Sequence, residues 1–107
     1  MITIEDFKKL EIKIGKIISA EKVEKSAKLL KLIVDLGAET RQILSGIAES
    51  FADPQILVGK EVPVLTNLEP RMIIGLESQG MILATSSDSK VVLLNPGEEV
   101  PAGNIVR

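Results

Sequence analysis

Three residues in the second half of the chain, Asn67, Arg71 and Ser78, have types and spacing suited to gripping anionic oxygens, and Met81 stands beside them as an apolar contact. Asn67 and Arg71 bracket a Leu-Glu-Pro turn, and Ser78 and Met81 bracket Gln-Gly. Two loops thereby present an amide, a guanidinium and a hydroxyl. A guanidinium can take two phosphate oxygens at once, and amides and hydroxyls can reach phosphate or the 2′-hydroxyl that distinguishes RNA from DNA. The same residues also admit a purely structural use, with Asn67 and Ser78 closing turns through local backbone bonds and Met81 filling core. Lys31, Arg41 and Ser45 form a second group on two adjacent predicted strands. There, phosphate contact competes with an ordinary solvated strand face.

Catalytic chemistry has little to build on. The chain has no cysteine and no histidine, so a disulfide framework, a thiolate nucleophile, the commonest zinc ligand and the commonest general base near neutral pH are all excluded. The acid pairs Glu5-Asp6 and Glu98-Glu99 sit in capping or turn contexts. The expectation is a binding protein with no catalytic residue, no cofactor and no metal. Its formal net charge of −2 and pI near 5.2 run against the basic footprint that phosphate binding usually leaves. The total conceals an asymmetry: residues 1–31 hold eight lysines against five acids, an excess of three positive charges, and the remainder carries −5. A local basic surface is therefore available.

The elements that must position these residues follow from periodicity. At 107 residues and 45% hydrophobic content, the chain suits one domain with one core. No window has the roughly 18 uninterrupted apolar residues of a membrane helix, and the N-terminus lacks the apolar stretch of a signal peptide, so a soluble cytoplasmic protein is expected. Thr3 as N-cap, Asp6 three residues on, and Ile2 and Phe7 as a hydrophobic staple predict a short helix near 3–9. Leu10-Glu-Ile-Lys-Ile alternates, then slips phase at Gly15-Lys16, which predicts a long strand bent at a glycine bulge. The polar stretch 20–28 reads as a loop or a short turn of helix. Leu30, Leu32, Val34 and Leu36 alternate in a second strand, and Arg41–Ser45 make a third.

Asp53-Pro54 with Gly59 marks a short helix. Val62, Val64 and Leu65 then form a strand whose Pro63 points to an edge or bulge, and Met81–Ala84 form another. Five strands with one helix between the third and fourth is the order of an OB-fold barrel. Residues 1–85 thus read as helix plus barrel and 86–107 as a C-terminal extension, too apolar at Lys90-Val-Val-Leu-Leu to be a free tail.

Six segments taken together resemble the tRNA-binding domain family. They are Leu10-Glu-Ile-Lys-Ile-Gly-Lys-Ile, Lys28-Leu-Leu-Lys-Leu-Ile-Val-Asp-Leu-Gly, Arg41-Gln-Ile-Leu-Ser-Gly-Ile-Ala, Leu57-Val-Gly-Lys, Asn67-Leu-Glu-Pro-Arg and Glu77-Ser-Gln-Gly-Met-Ile-Leu-Ala. Each is weak alone; six in this order are specific, and they span about residues 5–105. The family includes the C-terminal domain or separate beta subunit of methionyl-tRNA synthetase, stand-alone structure-specific tRNA-binding proteins and endothelial-monocyte-activating polypeptide II-like domains. The resemblance implies an all-β OB barrel that grips the outside of the tRNA elbow, with tRNA and a methionyl-tRNA synthetase catalytic subunit as partners. It also implies a homodimer built through the extension. The positions of Asn67, Arg71, Ser78 and Met81 are similar to those of tRNA-binding residues in the family. Val23-Glu24 and Ser26-Ala27 depart from its pattern, so the loop between the first two strands is unusual.

OB domains that bind single strands stack bases on aromatic rings. With only Phe7 and Phe51, this chain offers no such platform, and binding is expected to read the shape and backbone of a folded RNA and to weaken with salt. A rival within the same fold is an export-related chaperone holding peptides in an apolar groove.

Overall fold

A computed structural model describes all 107 residues. Strand β1 (Ile12–Lys22) is the spine. Its first half pairs with β4 (Glu61–Leu65) and its second half with β2 (Leu30–Asp35), both antiparallel. β2 pairs onward with β3 (Thr40–Ser45), and β4 with the two-residue β7 (Met81–Ile82). The order β3-β2-β1-β4-β7 is a nearly closed, antiparallel five-stranded barrel of OB type, as predicted. Its core holds Ile17, Leu30, Leu32, Ile43, Val62 and Val64, all inaccessible to solvent. The period-two burial of β2 arises because Leu30, Leu32 and Val34 point inward while Lys31, Ile33 and Asp35 remain half-buried.

Several local expectations hold in altered form. Helix α1 (Ile4–Phe7) has the predicted capping box, the Asp6 N–H donating to the Thr3 hydroxyl and the Thr3 N–H to the Asp6 carboxylate. None of its residues is buried and Ile2 is 72% exposed, so the staple covers little. The register shift in β1 lies between Ile17 and Ser19, not at Gly15. Gly15 is instead a point of close packing, where a side chain would collide with Val34. The helix predicted from Asp53 to Gly59 is a single 3₁₀ turn, Pro54–Leu57, with the Asp53 cap and Pro54 start present, and an unpredicted 3₁₀ turn, Ala48–Ser50, precedes it. Pro63 sits inside β4 opposite Ile14. Its carbonyl faces Leu83 on the β7 side, and the N–H that proline lacks falls on that same side, where pairing ends at Ile82.

Two hairpins were not separated by the sequence patterns. β5 (Arg71–Ile73) and β6 (Leu76–Ser78) form one, and β8 (Ala84–Ser87) and β9 (Lys90–Leu93) the other. The second is anchored where the Val91 N–H donates to Ser50 Oγ at 2.9 Å, with Val91 and Leu93 packed on the core. The chain then returns to β1: the Ile14 N–H donates to the Asn104 carbonyl, the Val106 N–H donates to Ile12, and Ile105 pairs with Lys13. Gly103, at φ +94, permits this return, since a side chain there would strike the Leu36 carbonyl.

Candidate nucleic-acid interface

Segment 77–80 closes the barrel against β3, and this decides what its side chains can do. The Gln79 N–H donates to the Gln42 carbonyl at 2.8 Å, the Gln42 N–H donates to Gln79 Oε1 at 3.1 Å, and Gln42 Nε2 donates to the Glu77 carbonyl at 2.9 Å. The Leu44 N–H donates to Ser78 Oγ at 3.0 Å, and Ser78 in turn donates to the Gly80 carbonyl at 3.3 Å. Ser78 is 5% exposed. Its hydroxyl thus joins β3 to the barrel seam through Leu44, a long-range bond, and closes a local turn only through Gly80.

Asn67 is similarly committed. Its Oδ1 accepts the Glu11 N–H at 2.9 Å and its Nδ2 donates to the Lys9 carbonyl at 2.8 Å. The carboxamide ties the segment between α1 and β1 to the loop after β4, retaining one hydrogen and one lone pair for another partner. Arg41 is spent as a cross-barrel clamp. Its Nη1 donates to the Thr66 and Gln79 carbonyls, while Nε and Nη2 meet both oxygens of Glu39, the former at 2.9 Å. That hydrogen bond and the guanidinium charge hold the Glu39 carboxyl below its usual range.

Arg71 and Met81 are different. Arg71 is exposed and makes no ion pair or side-chain hydrogen bond. Met81 is 45% exposed, so its place is at the surface and not in the core. The two share a cleft of about 480 Å³ with Leu44, Leu68, Glu69, Pro70, Ser78 and Gly80. A free guanidinium beside an apolar channel is suited to a backbone whose phosphates alternate with ribose faces. Leu68, Glu69 and Pro70 were passed over as turn residues, although they lie inside the Asn67–Arg71 motif that pointed here.

The second predicted group does not assemble. Register places Lys31 opposite Leu44 and Arg41 opposite Val34, so the two cations project from opposite faces of the sheet. Ser45, opposite core residue Leu30, shares Arg41's face and is half-buried. Lys31 lies on the face of the cleft, 3.8 Å from Glu21.

Residues 12–105 match the tRNA binding domain family. The methionine–tRNA ligase of Archaeoglobus fulgidus is 57% identical over 105 residues, which is 98% of this chain and 16% of that protein. This chain therefore spans about a sixth of the length of the curated relatives it matches. Among solved structures, a MetRS-related protein from Pyrococcus horikoshii superposes with a TM-score of 0.92 at 40% identity, covering 100% of this chain and 98% of that one. The chaperone CsaA of Bacillus anthracis superposes with a TM-score of 0.89 at 28% identity, covering 100% and 99%.

Proposed function

The chain belongs to the tRNA-binding domain family, and from that premise we propose that it is a tRNA-binding module that serves methionyl-tRNA synthetase and contributes no catalytic residue of its own. The observation that carries the reading is the unpaired Arg71 guanidinium on an apolar cleft placed within the family's matched segment. Arg71 takes phosphate oxygens, and Leu68 and Met81 pack on the ribose between them. Ser78, Gln79 and Arg41 hold the cleft's shape from behind, and Asn67 fixes its margin while offering its remaining hydrogen. Recognition is of folded RNA at the tRNA elbow, because no exposed ring is available for base stacking. Hydroxyl-radical footprinting of bound tRNA tests this. Protection along the outer elbow is the expected result, and a free-tRNA pattern throughout contradicts it.

A homodimer is the second part of the proposal. Ile2, Ile4 and Leu10 from the N-terminus and Ile105 from the returning extension are exposed at 72%, 64%, 46% and 71%. Ile105 pairs with Lys13 near the start of β1 and Leu10 leads into that strand, and a second copy that covered these side chains would bury them.

A further inference from the structure

Hairpin β5–β6 turns at Ile74-Gly75, with φ of +49 and +77. Two positive φ values are the mark of a type I′ turn, whose first position suits Asn, Asp or Gly. The β8–β9 turn follows that rule, with Asp88 and Ser89 at φ +50 and +65. Ile74 breaks it. A β-branched side chain crowds its own backbone in the left-handed region, and Ile74 is 49% exposed, so core burial does not offset the strain. Strain held at an exposed position points to use of the side chain elsewhere.

What Ile74 faces is informative. With Leu76 it lines a cleft of about 270 Å³ against the β1–β2 loop, whose contributions include Lys22, Val23 and Lys25, with Lys31 beside them. Of the acids that line it, Glu21 pairs with Lys31, and Glu24 has no ion-pair partner. Lys22 and Lys25 also pair with no acid, whereas Lys8, Lys9 and Lys13 are each matched by a neighbouring carboxylate. Of the excess of three positive charges in residues 1–31, two lie in 21–31, where Lys22, Lys25, Lys28 and Lys31 stand against Glu21 and Glu24. The cleft abuts the Arg71 cleft, because Lys31 of one and Leu44 of the other are direct register partners.

We infer that the Ile74 tip and the β1–β2 loop form a second contact for folded RNA, Ile74 packing on the face of an unstacked nucleotide while Lys22 and Lys25 take the flanking phosphates. This rests on the tRNA-binding reading and extends it to a base contact made without an aromatic ring. The test uses Ile74→Asn, which suits the turn better than isoleucine, and Lys22→Ala/Lys25→Ala, each measured for thermal unfolding and for tRNA affinity across salt. Ile74→Asn is expected to unfold at or above the wild-type temperature, to bind roughly fivefold or more weakly through lost burial of apolar surface, and to keep the wild-type salt slope. The lysine pair is expected to lower that slope by about two. A stable Ile74→Asn protein with wild-type affinity overturns the second contact and leaves the Arg71 site standing. A wild-type protein that binds no tRNA overturns both.

Discussion

The Asn67 carboxamide accepts the Glu11 N–H at 2.9 Å and, through its other end, donates to Lys9. A residue that the sequence offers as an RNA ligand is thereby a strut between the α1–β1 connection and the loop after β4. Asn67→Ala is expected to cost ~1–2 kcal/mol for two lost hydrogen bonds. The loss is local, and hydrogen exchange at Glu11 checks it: exchange should accelerate there and stay slow in β2.

Ser78 and Arg71 share one cleft and should separate cleanly on substitution. Ser78→Ala leaves the buried Leu44 N–H without its acceptor and is expected to destabilise the fold by ~1–3 kcal/mol, read by chemical denaturation. Arg71→Ala removes an exposed, unpartnered cation and is expected to leave unfolding unchanged. It should weaken tRNA binding and reduce the salt slope by about one.

Much of this architecture was legible because it rests on local rules. The alternation Leu30-Leu32-Val34 needs one buried face, the Thr3–Asp6 box needs only its own turn, and the C-terminal strand of Lys90–Leu93 is apolar enough to demand a core. The β1 bulge was misplaced because Ile17 and Ile18 are equally apolar neighbours, and pairing with β2 decides which one turns inward. The candidate site was legible as a segment but not as chemistry. Nothing local shows that Ser78 meets Leu44, 34 residues away, or that Arg41 and Lys31 point to opposite faces. The Ile74 turn was invisible because isoleucine is the wrong residue for it.

The Arg41–Glu39 pair gives the barrel end a pH signature. The Glu39 carboxyl is held below its usual value of 4.5 by the Arg41 hydrogen bond and charge, so its contribution is fully present above that value and is lost as pH falls through the lowered one. The stability difference between the wild type and Glu39→Gln is expected to be constant near neutrality and to vanish on acidification. A difference that persists unchanged in acid would show that the ionised carboxylate is not its source.

The exposed apolar side chains of Ile105 and α1 predict self-association. Sedimentation is expected to give a dimer for the wild type and a monomer for Ile105→Glu, since a carboxylate at the centre of a buried contact is strongly disfavoured. A wild-type monomer at high concentration would contradict the homodimer.

A protein that grips folded tRNA through phosphate contacts and shape should prefer it to an RNA without structure. The most direct test titrates salt against the affinity of the wild-type protein for unfractionated tRNA and for an unstructured RNA of equal length. Tighter binding to tRNA is expected, with the logarithm of affinity falling linearly in the logarithm of salt concentration. Equal affinity for both RNAs, or no binding to either at low salt, would contradict it.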